Sequence, residues 1–155
     1  MENYYPALNY RETLDHDKDH IMVKIQLPGE RESGTINAMI DSGATVDFID
    51  REICNKHGIK MIKGKNRREI CLADGKPSAM GPVTHKTKVR INISSHRELV
   101  TFQVANLQNH EVILGMLWLR ELNPTIDWND RRITFNSERC TTWCLKGSPV
   151  ADAVP

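Results

Sequence analysis

The feature that most constrains this chain is an alternating apolar strand that runs directly into an acidic tight turn. Between Thr35 and Ile40 the residues Ile36, Ala38 and Ile40 share one face, and Asp41-Ser42-Gly43-Ala44-Thr45 follows at once. Alternation of this kind reads as a half-buried β-strand. It commits this part of the chain to a sheet and delivers a carboxylate to the loop at the strand's end. Gly43 and Ala44 are small enough to let the backbone turn closely around that carboxylate. The pattern occurs once in 155 residues. Acid chemistry of this type works with two carboxylates sharing a proton, because like charges held together do not both ionise easily. One copy therefore predicts half a site, with the other half on a second subunit.

Composition limits the alternatives. The length suits one domain with its own core. With 39% hydrophobic and 26% charged residues the chain reads as globular and soluble. A net charge of +1 argues against a broad nucleic-acid footprint. The basic stretch Lys60–Arg68 lacks the interleaved aromatics of a base-stacking surface and reads as a solvated loop. No apolar run is long enough to span a bilayer, and Met1-Glu2-Asn3-Tyr4-Tyr5 does not resemble a signal peptide. A cytoplasmic, reducing setting is expected, with Cys54, Cys71, Cys140 and Cys144 as free thiols. No histidine follows His110 to complete a zinc site with the last two cysteines, and His16 and His20 read as part of a solvated segment. No metal and no cofactor are expected.

Along the chain, residues 1–19 are polar and aperiodic and read as a flexible N-terminal tail. Ile21, Val23, Ile25 and Leu27 form the face of a first strand, ended by Pro28-Gly29, and Thr35–Ile40 forms the second. Ile49–His57 reads as a short helix opened by Asp50 and closed by Gly58. Glu69–Thr84 carries a hairpin signature, with Asp74-Gly75 supplying the turn. Long alternating strands follow at Val83–Ile93 and Leu99–Val104, joined around Ser94-Ser95-His96. Glu111–Gly115 is a buried apolar strand, and Met116–Leu122 a helix stopped by Asn123-Pro124. Thr125–Trp128 and Arg131–Phe135 form a last pair of strands. The expected fold is mostly β with two short helices, over a domain at 20–136, and residues 137–155 read as a C-terminal extension or linker.

Several of these segments occur in the order found in one family. Ile40-Asp41-Ser42-Gly43-Ala44-Thr45 looks like a catalytic loop, Ala73-Asp74-Gly75-Lys76 is similar to a flap tip, and Val112-Ile113-Leu114-Gly115 looks like a second signature that leads into a helix. Together they resemble the retropepsins, the aspartic proteases of retroviruses and long-terminal-repeat retrotransposons. The stretch from His110 to Trp128 is similar to gypsy-type retrotransposon polyproteins in particular. The resemblance covers about residues 20–136; the tail with Trp143 has no clear counterpart.

The resemblance implies a closed β-barrel of the acid protease fold, one half-site per chain and an obligate homodimer. It implies that Asp41 of each subunit is catalytic, that Ser42, Gly43, Ala44 and Thr45 support the loop, and that Ala73–Lys76 close over an extended polypeptide substrate. Ile113, Leu114 and Gly115 would lie beneath the site. The implied function is an aspartic endopeptidase that cleaves a polyprotein, in the cytoplasm or within virus-like particles, with neither nucleic acid nor membrane as a partner. The alternative is an inactive retropepsin-like dimerisation or peptide-binding module from a domesticated element. Asp47, between the core-facing Val46 and Phe48, is expected to be a solvent-exposed charge. Asp127 reads as an edge charge between Ile126 and Trp128, both expected to fill core or interface space. No histidine is tied to Ser42, so a Ser/His/Asp hydrolase is not the reading.

Overall fold

The computed structural model describes residues 20–28, 34–68, 82–138, 140 and 141. The tail at 1–19 and the flap residues Ala73, Asp74, Gly75 and Lys76 lie outside the described residues. Nine strands and two helices are described: β1 (Ile21–Ile25), β2 (Ile36–Ile40), β3 (Phe48–Asp50), α1 (Arg51–His57), β4 (Ile62–Arg68), β5 (Val83–Ile93), β6 (His96–Ala105), β7 (Val112–Leu114), α2 (Met116–Leu122), β8 (Thr125–Asp127) and β9 (Arg132–Thr134).

Seven strands make one sheet in the order β1-β2-β7-β3-β6-β5-β4. The sheet curls closed, because the backbones of Gln26 and Asn92 exchange two hydrogen bonds of 2.8 Å and so join the end of β1 to β5. The barrel is thus sealed at one point, and β4 continues outward along the other half of β5. Inside it, Ile25, Ile36, Ile91, Phe102, Val104, Leu114 and Trp118 pack with their neighbours as the main core. Each such side chain contributes roughly 1.5–3 kcal/mol by leaving water.

The central feature is the placement of β7. It runs parallel to β2, with Ile40 opposite Leu114, and antiparallel to β3, with Phe48 opposite Ile113. A strand from late in the chain thus separates two strands that are consecutive in sequence. The loop that joins β2 to β3 must cross the end of β7, which sets Asp41–Asp47 against Gly115.

These central strands are covered on both faces, so strict alternation fails there. Met39 is as buried as Ala38 and Ile40, and joins a second patch with Phe48, Val83, Ala105, Leu107 and Ile113. At the rim, alternation survives: β1 buries Ile21, Val23 and Ile25 and exposes Met22 and Lys24.

Local readings change within the barrel. Residues 60–68 are not all loop, since Ile62–Arg68 is strand β4 on β5. Their polarity reflects an outer strand, where charged side chains protect the edge from further pairing. The first helix starts at Arg51, because Phe48–Asp50 is drawn into the sheet as β3 between β6 and β7. Its end is as expected, with Gly58 at φ +65° and the Ile59 N–H donating to Cys54 O at 2.8 Å.

At the C-terminal end, β8 and β9 form a separate two-stranded ribbon. Ile126 packs against the core, whereas Trp128 is 61% exposed and so fills no core space. The core extends past Asn136, since Cys140 is fully buried and its N–H donates to Ser137 Oγ at 3.2 Å.

Candidate active site

Asp41 is the first residue past β2, and its N–H donates to Leu114 O at 2.9 Å, which carries the β2–β7 ladder one step into the loop. Alternation puts Asp41 on the face of Met39 rather than of Ile40. Its Oδ1 accepts the Gly43 N–H at 2.9 Å, and its carbonyl accepts the Ala44 N–H at 3.1 Å. The turn therefore fixes the carboxylate while leaving it half-buried, with Ser42, Gly43 and Thr45 exposed around it. A Cβ on Gly43 would stand 3.1 Å from Asp41 Oδ1, so a side chain there would crowd the carboxylate off its donor.

The far half of the loop is bound by α2. The Met116 N–H donates to Ala44 O at 2.7 Å and the Leu117 N–H to Thr45 O at 3.2 Å. These are first-turn helix donors, which lack partners within the helix itself. The fit leaves no room at Gly115, where a Cβ would lie 2.4 Å from Val46 O and 2.6 Å from Ala44 O. Of the residues expected beneath the site, Leu114 is fully buried, Ile113 packs with Met39 and Phe48, and Gly115 meets the loop directly.

Asp47 overturns its expected exposure. It is 3% exposed, its Oδ1 accepts the Gly115 N–H at 2.7 Å, and its carbonyl accepts the Gln103 N–H at 2.9 Å. Gly115 offers no side chain to cap α2, and Asp47 supplies that carboxylate from across the loop. Burial pushes the Asp47 carboxyl up to about 6; the backbone N–H groups of Gly115 and Trp118 pull it down, and Glu98 and Glu121 add smaller upward pushes. Reading Val46 and Phe48 as the core face misplaced Asp47, since this part of the sheet is covered on both sides.

Behind α2 lies a polar cluster that sequence reasoning missed. Glu98 Oε2 accepts the Trp118 Nε1–H at 2.7 Å and lies 2.6 Å from His96 Nε2. His96 stacks on Phe135 with ring centroids 4.1 Å apart, and Trp118 meets the same ring edge-on. All three polar members are buried, so the cluster ties β6, α2 and β9's end together rather than facing substrate. A Trp on a helix and an acid on a strand share no sequence spacing that would announce the contact.

Asp127 is exposed and accepts the N–H groups of Asn129 and Asp130, so it closes the β8–β9 turn. Among the described residues no group of three or more His, Cys, Asp or Glu side chains is placed to hold a metal ion. None of the described helices is long and apolar enough to cross a membrane.

A closed, mostly β barrel with two helices, in which a strand-end Asp-Ser-Gly loop is clamped on a glycine, is the retropepsin-like acid protease fold. Solved structures agree at the level of fold. The retroviral protease-like domain of Ddi1 from Leishmania major superposes with a TM-score of 0.55 at 13% identity, covering 82% of this chain and 92% of that one. The EIAV protease, solved with the inhibitor HBY-793, gives 0.51 at 16% identity, covering 74% and 98%. A retropepsin-like aspartic protease from Rickettsia conorii gives 0.51 at 18% identity, covering 72% and 79%. A family model described as the PEG10/RTL1 protease domain matches residues 37–144, and the chain belongs to that family.

Proposed function

We propose that the chain is an aspartic endopeptidase, active as a homodimer in which each subunit contributes one Asp41, and that it cleaves an extended polyprotein segment. The observation that carries this reading is the Asp41 loop itself. Its carboxylate is half-exposed, yet the backbone around it is fixed at Leu114, Gly43, Met116 and Leu117. Such a carboxylate is preorganised for chemistry, and no ion pair among the described residues engages it.

Two such loops facing each other would hold one proton and one water. The ionised Asp41 takes a proton from the water as its oxygen attacks the peptide carbonyl, while the protonated Asp41 donates to the carbonyl oxygen. Proton return to the amide nitrogen then releases the amine product. Ser42, Gly43, Ala44 and Thr45 keep the two loops in register. The stretch at 73–76 covers the substrate, which binds as an added strand with alternate side chains in pockets.

The test is cleavage of a flanking polyprotein fragment by wild type and Asp41→Asn, with solution mass measured in parallel. Wild type should cleave as a dimer, and Asp41→Asn should lose about 10²–10⁴-fold or more in rate. Activity that survives Asp41→Asn would overturn the assignment. A dimer that is inert even at mildly acidic pH would leave a peptide-binding module.

A further inference from the structure

The cations of this chain are segregated. Segments 59–68 and 82–97 hold lysines and arginines without one Asp or Glu, although the chain's 21 Lys and Arg are balanced by 20 Asp and Glu overall. Strands β4 and β5 set these segments side by side, with Ile62 opposite Lys86 and Lys63 opposite His85. The register then shifts between Lys63 and Arg68. Next to that irregularity a recess of about 340 Å³ opens, lined in part by Gly64, Lys65, Thr84, Lys86, Thr101 and Gln103. No ion pair among the described residues engages Lys65 or Lys86.

The recess lies on the face that carries Asp41. On β6, Thr101, Gln103 and Ala105 alternate with the core residues Val100, Phe102 and Val104, and Ala105 belongs to the patch of Met39 and Phe48. Val83, another member of that patch, also lines the recess. Gln103 stands opposite Phe48 in the β3–β6 register and donates its N–H to Asp47 O. Only β3 therefore intervenes between the end of β7, where the Asp41 loop sits, and the strand that walls the recess.

We propose that this recess is a specificity subsite that takes an acidic side chain of the peptide bound at Asp41. The inference rests on the peptidase reading above. An extended peptide advances about 3.3 Å per residue and turns alternate side chains to the same face. One residue a few positions from the scissile bond then drops its side chain between the Lys65 and Lys86 ammonium groups, with the Thr101 hydroxyl as a further donor; the Thr84 hydroxyl is engaged by His85 Nδ1 at 2.8 Å. A carboxylate suits that donor set, and the recess is roomy enough to admit a side chain together with water. A nucleic acid fits it less well, since no Phe, Tyr or Trp among the described residues lines the recess to stack a base, and the one imidazole there, His85, is held at its Nδ1 by Thr84 Oγ1 at 2.8 Å.

The experiment is a positional-scanning decapeptide library with Glu, Gln or Lys at each position, offered to wild type, Asp41→Asn, the Lys65→Gln/Lys86→Gln pair and the Lys65→Glu/Lys86→Glu pair. At one position away from the scissile bond, wild type should prefer Glu over Gln by about three- to tenfold in kcat/KM, less at high salt. The glutamine pair should erase that preference and the glutamate pair should reverse it toward Lys. A wild type without any positional preference for Glu, or with one that survives charge reversal, overturns the proposal. So does a labelled single-stranded RNA 20-mer that binds wild type and is lost on charge reversal while peptide preference is absent. If nothing is cleaved, the peptidase reading fails separately. The same library read as binding to wild type and Asp41→Asn then decides the subsite by the same three-way comparison.

Discussion

Helix α2 is gripped at two places by different means. At its start, the loop 41–47 meets it through backbone groups: Ala44 O and Thr45 O take the Met116 and Leu117 N–H groups, and Gly115 leaves no space between them. At the next residue, Trp118 is held by side chains, its Nε1–H on Glu98 beside His96, with Phe135 closing the stack. The first contact tolerates many side chains and no added volume at one position. The second tolerates relaxed backbone but depends on each chemical group in it. A site that must present Asp41 at fixed geometry is therefore built on main chain, and the rigid support behind it on buried side chains.

The comparison breaks most readily at Gly115. With Val46 O and Ala44 O at 2.4 and 2.6 Å from a new Cβ, Gly115→Ala must push the loop off α2. We expect a loss of roughly 4 kcal/mol or more in unfolding free energy, among the largest that single substitutions give. Peptidase activity should disappear with it. Thermal melts of wild type and Gly115→Ala check this, and a normal melt would mean that the loop and helix are not in contact as described.

Glu98→Ala tests the other grip. It leaves the Trp118 Nε1–H and His96 Nε2 without their shared acceptor inside the core, at a cost of about 2–3 kcal/mol in denaturant unfolding. Glu98→Gln keeps an acceptor oxygen and should recover much of that loss. Equal destabilisation by both variants would show that the charge, rather than hydrogen-bond acceptance, matters in this cluster.

These two grips also explain what could be read from residues alone. The backbone-built contact leaves a local trace, because close approach demands small residues next to the acid: Asp41-Ser42-Gly43-Ala44 and Gly115 stand out in the sequence for that reason. The rim strands were legible through alternation, since only one of their faces is covered. The side-chain cluster was not, because His96, Glu98, Trp118 and Phe135 meet only after the barrel has closed. Strand β4 hid behind its charges, and Asp47 was misplaced by an alternation rule that fails where β3 is covered on both faces. Val46 and Phe48 do pack inward, and Asp47 is buried between them all the same.

Asp47 joins the two grips and gives the smallest and most diagnostic prediction. Its carboxylate binds the Gly115 N–H, while Glu98 of the second cluster adds a repulsive charge. Its carboxyl is raised in the fold from 3.8 to about 6, so between those values the native state holds a proton that the unfolded chain releases. Stability linked to this group is therefore present at low pH and is lost as pH rises through about 6. Asp47→Asn keeps an acceptor for Gly115 and removes the charge. It should stabilise the protein at pH 7.5 by about 1–2 kcal/mol, with the advantage shrinking toward zero as pH falls to about 4. Chemical denaturation across that range measures it. A gain that does not change with pH would assign the effect to packing, and a loss at pH 7.5 would mean that the ionised form is the better cap for α2.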